Sequence, residues 1–189
     1  MILKLFTFFI IPVYTILLAI QDDLFDSNLS VIGSYMNHRD GFMLWGFMII
    51  AYFYLVLTTI IENYKLKRAK TNCHLVITAC ILLLLSLTTP FIPEESLFKA
   101  NLHFILAFSS TICLFLVFLL ITWELKQRDS KAYRDYFIYV IAIITVSAVM
   151  FVLVGIVSGF LEIFITITTT LLSYYLLKKS QIVSSQPDK

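Results

Sequence analysis

Six apolar runs dominate this chain, at residues 2–20, 42–61, 73–89, 104–123, 136–156 and 160–177. A hydrocarbon core of about 30 Å needs about 20 apolar residues per helix, with a range of about 17–25. Lipid cannot satisfy backbone polar groups, so a spanning segment must be a helix or a strand of a closed barrel. Barrel strands alternate apolar with polar over about ten residues. The runs here are longer and continuous, which selects helices. Composition excludes the soluble alternative. The chain is 60% hydrophobic and only 14% charged, where soluble domains are about half apolar and a quarter charged. A soluble fold of 189 residues could not hide that much apolar surface. The expected fold is therefore all-α, an integral membrane bundle of six transmembrane helices over residues 1–180, with a short polar tail at 181–189.

Two boundaries need an argument. The first run has Lys4 ahead of its apolar region at 5–20 and so resembles a secretory signal, but Leu18, Ala19 and Ile20 lead into Gln21 and Asp22 without a small-x-small cleavage site. It reads as a retained helix. The last two runs form one apolar block, interrupted by Gly155 and Gly159. Such a pair can form a helix-dimerisation face, but here it falls where the chain has to turn, which predicts a tight re-entry turn.

Orientation follows the lysines and arginines. Of the 14 basic residues, 12 fall at the N-terminus, in the second and fourth loops and in the tail, leaving Arg39 and Lys99 on the other side. Both termini are predicted to be cytoplasmic. Tyr64, Trp123, Tyr133, Tyr136, Tyr174 and Tyr175 lie at predicted cytoplasmic boundaries, where aromatic rings favour the headgroup region. Cys73, Cys80 and Cys113 sit in apolar runs at no metal-like spacing and read as small buried apolar residues.

The chemistry collects on the opposite, outer side. The island at 21–41 supplies Asp22, Asp23, Asp26, His38, Arg39 and Asp40, and the proline-bounded third loop supplies Glu94 and Glu95. His103 begins the fourth helix and Glu162 the sixth. The predicted outer-face polar cluster is thus His38, Arg39, Asp40, Glu94, Glu95, His103 and Glu162. His38 and His103 are the metal-ligand candidates, because two imidazoles with carboxylates suit zinc or another divalent cation. Asp40 and Glu94 are the corresponding catalytic candidates. Glu162 is notable because a carboxylate within an apolar run is costly and by default functional or paired. Arg39 and Lys99 are its expected partners. The hydroxyl groups of Ser109, Ser110 and Thr111, and of Thr166 to Thr170, either line a polar path or bond to helix backbone. Asn28 and Ser30 form a glycosylation sequon. There is no phosphate loop, nucleophile elbow or zincin motif, and no nucleic-acid surface.

The stretch DSNLSVIGSYMNHRDGFMLWG (26–46), followed by a greasy helix, resembles the first outer loop of the DRAM/FRAG-like six-pass membrane proteins and their bacterial relatives. PFIPEESLFKANLHFILAFSS (90–110) and GFLEIF (159–164) extend the resemblance along the topology. It implies six helices with both termini inside and, from the eukaryotic members, an association with lipid handling and membrane trafficking. A second resemblance is to the ceramidase/progestin-receptor-like intramembrane metal hydrolases, which use a Ser, an Asp and three His. His38, Asp40 and His103 are the candidates for that set, and the third histidine and the seventh helix are missing.

Two readings follow. The leading one is a non-catalytic cell-membrane protein without a cofactor, binding membrane lipids or another membrane protein through an acidic outer cap. The alternative is a metal-dependent intramembrane lipid hydrolase acting at the outer leaflet, with His38 and His103 as ligands and Asp40 or Glu94 as base or third ligand.

Overall fold

The computed structural model describes residues 1–35 and 38–184. Its elements are α1 (Ile2–Ala19), α2 (Leu29–Tyr35), α3 (Arg39–Asn63), α4 (Ala69–Thr88), α5 (Leu97–Arg128), α6 (Ser130–Val154) and α7 (Gly159–Ser184). All but α2 are long and apolar enough to cross a membrane, six helices in all. No strand occurs among the described residues.

The helices overrun the apolar runs because their ends are set by caps rather than by hydrophobicity. Ser96 accepts a bond from the amide of Lys99 and starts α5 seven residues ahead of Phe104. Asp129 accepts from Ala132 and starts α6. The last helix continues to Ser184, into the expected tail, whose residues 185–189 lie outside the described residues. Between α6 and α7 the predicted re-entry turn is present. Gly155 takes φ 78°, a left-handed conformation that costs glycine nothing and ends the helix. Within α1, Pro12 cannot donate to the preceding turn, and its ring crowds the carbonyl four residues back. The helix opens into a π-turn at Phe6–Ile10 just before it.

Helix α3 is the hub. Its residues Trp45, Ile49, Tyr52, Phe53, Val56, Leu57, Ile60 and Ile61 are all buried, at the three-four spacing of one wide helical face. Close contacts run α3–α4, α4–α5, α5–α6, α6–α7 and α7–α3, closing a five-helix ring, while α1 lies against α3 and α7. Polar pairs fasten α1. Trp45 Nε1 donates to Thr15 Oγ1 at 2.9 Å, and the Thr7 hydroxyl lies 2.9 Å from that of Tyr52. Tyr52 in turn donates to the Thr170 carbonyl of α7. Phe8 packs edge-on against Tyr174, so the two chain ends share one end of the bundle. Gly46 allows Leu87 of α4 to approach α3, and a Cβ there would overlap the buried Leu87 side chain. Gly46→Ala is expected to destabilise the detergent-purified protein by about 1–3 kcal/mol through overpacking. An unchanged melting temperature would contradict this close approach.

The basic end departs from expectation. Tyr64 and Tyr133 are only 6% exposed, so they are core residues rather than interfacial anchors. Their hydroxyls lie 3.2 Å apart, and Tyr64 also donates to the Leu176 carbonyl. Burial pushes the Tyr64 phenol well above its ordinary value. Trp123 and Tyr175 are exposed, as anchors would be. Cys73, Cys80 and Cys113 are free thiols and half-buried rather than fully enclosed.

Candidate functional site

At the acidic end, the loop before α2 and the start of α7 cap each other. The first amides of helix α7 have no preceding turn to bond to. Those of Gly159 and Phe160 donate to the carbonyls of Ser27 (2.7 Å) and Leu24 (2.9 Å), and those of Leu161 and Glu162 to the hydroxyl and carbonyl of Ser158. The short helix α2 is served in return. Asn28 Oδ1 accepts from Ser30 and Val31, each at 3.0 Å, and the Asn28 carbonyl from Ile32. The remaining amide, Leu29 N, donates to Glu162 Oε2 at 2.7 Å. Glu162 therefore pairs with a backbone amide. Arg39 and Lys99, its expected partners, are exposed, and neither is within ion-pair distance of it.

His103 ties three elements together. Its Nδ1 lies 2.8 Å from the carbonyls of both Ser86 and Thr89, at the end of α4. Carbonyls only accept, so this nitrogen carries the proton. Nε2 then accepts from the Ser30 hydroxyl of α2 at 2.7 Å. The ring is 4% exposed, and both of its nitrogens are committed to protein.

These contacts divide the predicted polar cluster. His103 and Glu162 face an internal cavity, whereas His38, Arg39, Asp40, Glu94 and Glu95 are exposed and do not line it. The metal candidates His38 and His103 are not gathered into a donor set. Among the described residues no three His, Cys, Asp or Glu side chains are placed to hold an ion. Asp40 and Glu94, the acid–base candidates, likewise lie at the surface. Sequence reasoning missed Asn28 and Ser30 as site residues, having read them as a sequon. The available signal was an Asn immediately before an apolar, helix-length run, which marks a helix N-cap.

The cavity fills the middle of the ring and has a volume of about 640 Å³. Its roof is Asp26, Asn28, Ser30, His103 and Glu162, and its shaft is apolar, reaching Leu57, Val76 and Leu114. From Phe42 to Leu57 along α3 it runs roughly 20 Å at about 1.5 Å per residue. The shaft hydroxyls mostly bond locally, as Ser110 does to the Ala79 carbonyl and Thr169 to that of Ile165. Ser147 and Thr166 are the exceptions: both are buried and line the shaft, and neither hydroxyl has a hydrogen-bond partner among the described residues, the Ser147 Oγ being fully enclosed. Phe104, Ile112, Val152 and Ile156 line the cavity while remaining exposed, and Val152 is 77% exposed. The wall is therefore thinnest along the α5–α6 seam. Compared with family models, curated proteins and solved structures, the chain matches none of them.

Proposed function

We propose that this chain is a non-catalytic multi-pass protein of a cell membrane that binds a lipid or lipid-like amphiphile within its helix ring, its basic end toward the cytoplasm. The observation that carries this reading is the cavity itself: large, mostly apolar along its shaft, with its charged groups confined to its acidic end. Its volume falls in the roughly 300–1,000 Å³ range of small-molecule sites, which are mostly apolar with a few convergent polar groups. Its axis follows the helices, so a head at the roof would lie near the membrane surface and a chain in the shaft at hydrocarbon depth. The exposed seam between α5 and α6 supplies a route for the chain directly from lipid. A concave site favours such a molecule over a protein partner as the primary ligand. The resemblance to lipid-handling six-pass proteins points the same way. The orientation rests on the 12 of 14 basic residues expected at the end that carries the termini.

Native mass spectrometry tests the reading. Wild type released from membranes in mild detergent is expected to carry one amphiphile per chain. Ala79→Phe/Ser147→Phe, which plugs the shaft from α4 and α6, is expected to fly without it while its melting temperature stays within a few degrees. A wild type with no adduct, or a plugged variant with the same adduct, would overturn the reading.

A further inference from the structure

The charge at the polar end of the cavity is one-sided. Two carboxylates line it, Asp26 at the exposed rim and Glu162 further in, and no described lysine or arginine does. Most donors at the roof are already used. The Ser30 hydroxyl is given to His103, the His103 N–H to the Ser86 and Thr89 carbonyls, and the Leu29 amide to Glu162 Oε2. The Ser30 and Val31 amides are given to Asn28. What remains are mainly acceptors, because neither Glu162 Oε1 nor the Asp26 carboxylate accepts a bond from the described residues. A phosphate or carboxylate head would meet two carboxylates, with only the neutral Asn28 side-chain amide, which donates to none of the described residues, to offset them. An ammonium head brings several N–H donors and the missing counter-charge, and charge-assisted bonds of that kind are about twice as strong as neutral ones. A carboxylate in an apolar run without a counter-charge is costly, and a cation beside it lowers that cost.

Resting on the cavity reading above, we infer that the site selects a single-chain amphiphile with a protonated amine head. Glu162 Oε1 holds the head, Asp26 stands at the mouth, and the alkyl chain lies in the shaft. The unpartnered Ser147 hydroxyl is a second polar station in the wall, open to a polar group carried along that chain. The assignment is a preference among heads of equal chain length, so it can be measured separately from binding as such.

Trp45 lines the cavity, and the chain's only other tryptophan, Trp123, does not. In a Trp123→Phe background, Trp45 therefore reports occupancy by its fluorescence. Hexadecylamine, hexadecanol and hexadecanoate are titrated at pH 7 in a neutral maltoside, with Ala79→Phe/Ser147→Phe as the blocked control. The amine is expected to bind at least about tenfold more tightly than the alcohol, as one charge-assisted bond implies. The carboxylate is expected to bind most weakly. Glu162→Gln, whose amide oxygen still accepts from Leu29, is expected to bring the amine to within about threefold of the alcohol. Asp26→Asn, at an exposed position that the fold does not depend on, is expected to lower the amine preference without moving the melting temperature. Equal binding of amine and alcohol by wild type would overturn the head assignment and leave the cavity reading standing. So would an amine preference that survives both substitutions. No binding of any of the three amphiphiles would overturn both.

Discussion

Replacing Glu124 by alanine is expected to lower the stability of the purified protein by about 3 kcal/mol, since breaking a buried ion pair costs about 3–5 kcal/mol. Glu124 lies near the basic end of α5 and is 8% exposed. Its carboxylate accepts from the Lys67 amide at 2.6 Å, from the Arg68 amide and from the Arg128 guanidinium one helical turn on. Arg128 also donates to the Tyr64 and Lys65 carbonyls at 2.6 and 2.9 Å. The carboxylate and the guanidinium together hold the whole 64–68 connection, including Lys65 with its positive φ of 46°. Removing the carboxylate leaves two amides and a cation short of an acceptor. Arg128 keeps about a third of its side-chain surface in contact with solvent, which places the cost at the lower end of the range. For a chain of this size that corresponds to a fall of roughly 6–12 °C in melting temperature. Glu124→Gln keeps one acceptor and is expected to fall between the two. A melting curve for Glu124→Ala that overlays the wild type would show that the loop is held by something else.

His103→Leu carries the second large effect, at the other end of the bundle. The substitution keeps an apolar side chain of useful size but removes the ring that joins α2, α4 and α5. The Ser86 carbonyl still accepts from the Thr89 amide. The Thr89 carbonyl and the Ser30 hydroxyl lose their ring partner. Each buried polar group left unsatisfied costs about 1–3 kcal/mol, giving a total near 3 kcal/mol. Ser30→Ala strands only Nε2 and is expected to cost about 1 kcal/mol. Because Ser30 and His103 form part of the cavity roof, His103→Leu is also expected to weaken retention of the bound amphiphile in the native mass spectrum. Thermal melts and ligand occupancy measured on the same preparation check both halves. A variant as stable as the wild type would mean that these bonds contribute nothing net.

The roles of Glu124 and Glu162 show where a sequence stops being legible. Both are single carboxylates in or beside apolar helices, and a linear reading can only flag them as costly. For Glu162 the expected partner is a basic side chain on the same face. The partner is instead the amide of Leu29, a group that every residue but proline carries and that no composition analysis can single out. Glu124 stands among the charges that end α5 and in the linear sequence is indistinguishable from part of a solvated loop. Its burial comes from the 64–68 connection folding back onto it. Tyr64 and Tyr133 make the same point. Tyrosine suits both a headgroup boundary and a wet corner of a core, and only packing distinguishes the two.

What the sequence determined by itself is the architecture: six helices long and apolar enough to cross a membrane, and a turn at Gly155. These depend on local quantities, namely run length, hydropathy and the conformational freedom of one residue, and local quantities can be read along a line. The tertiary structure alone decided which polar groups form a site. Of the seven residues expected to share one outer cluster, His103 and Glu162 turn into the cavity and the other five stay at the surface. The cavity exists because five helices close a ring around a volume that their side chains do not fill, and its roof exists because two distant segments satisfy each other's unpaired backbone groups. Both depend on the relative placement of residues more than a hundred positions apart, which composition and periodicity do not encode.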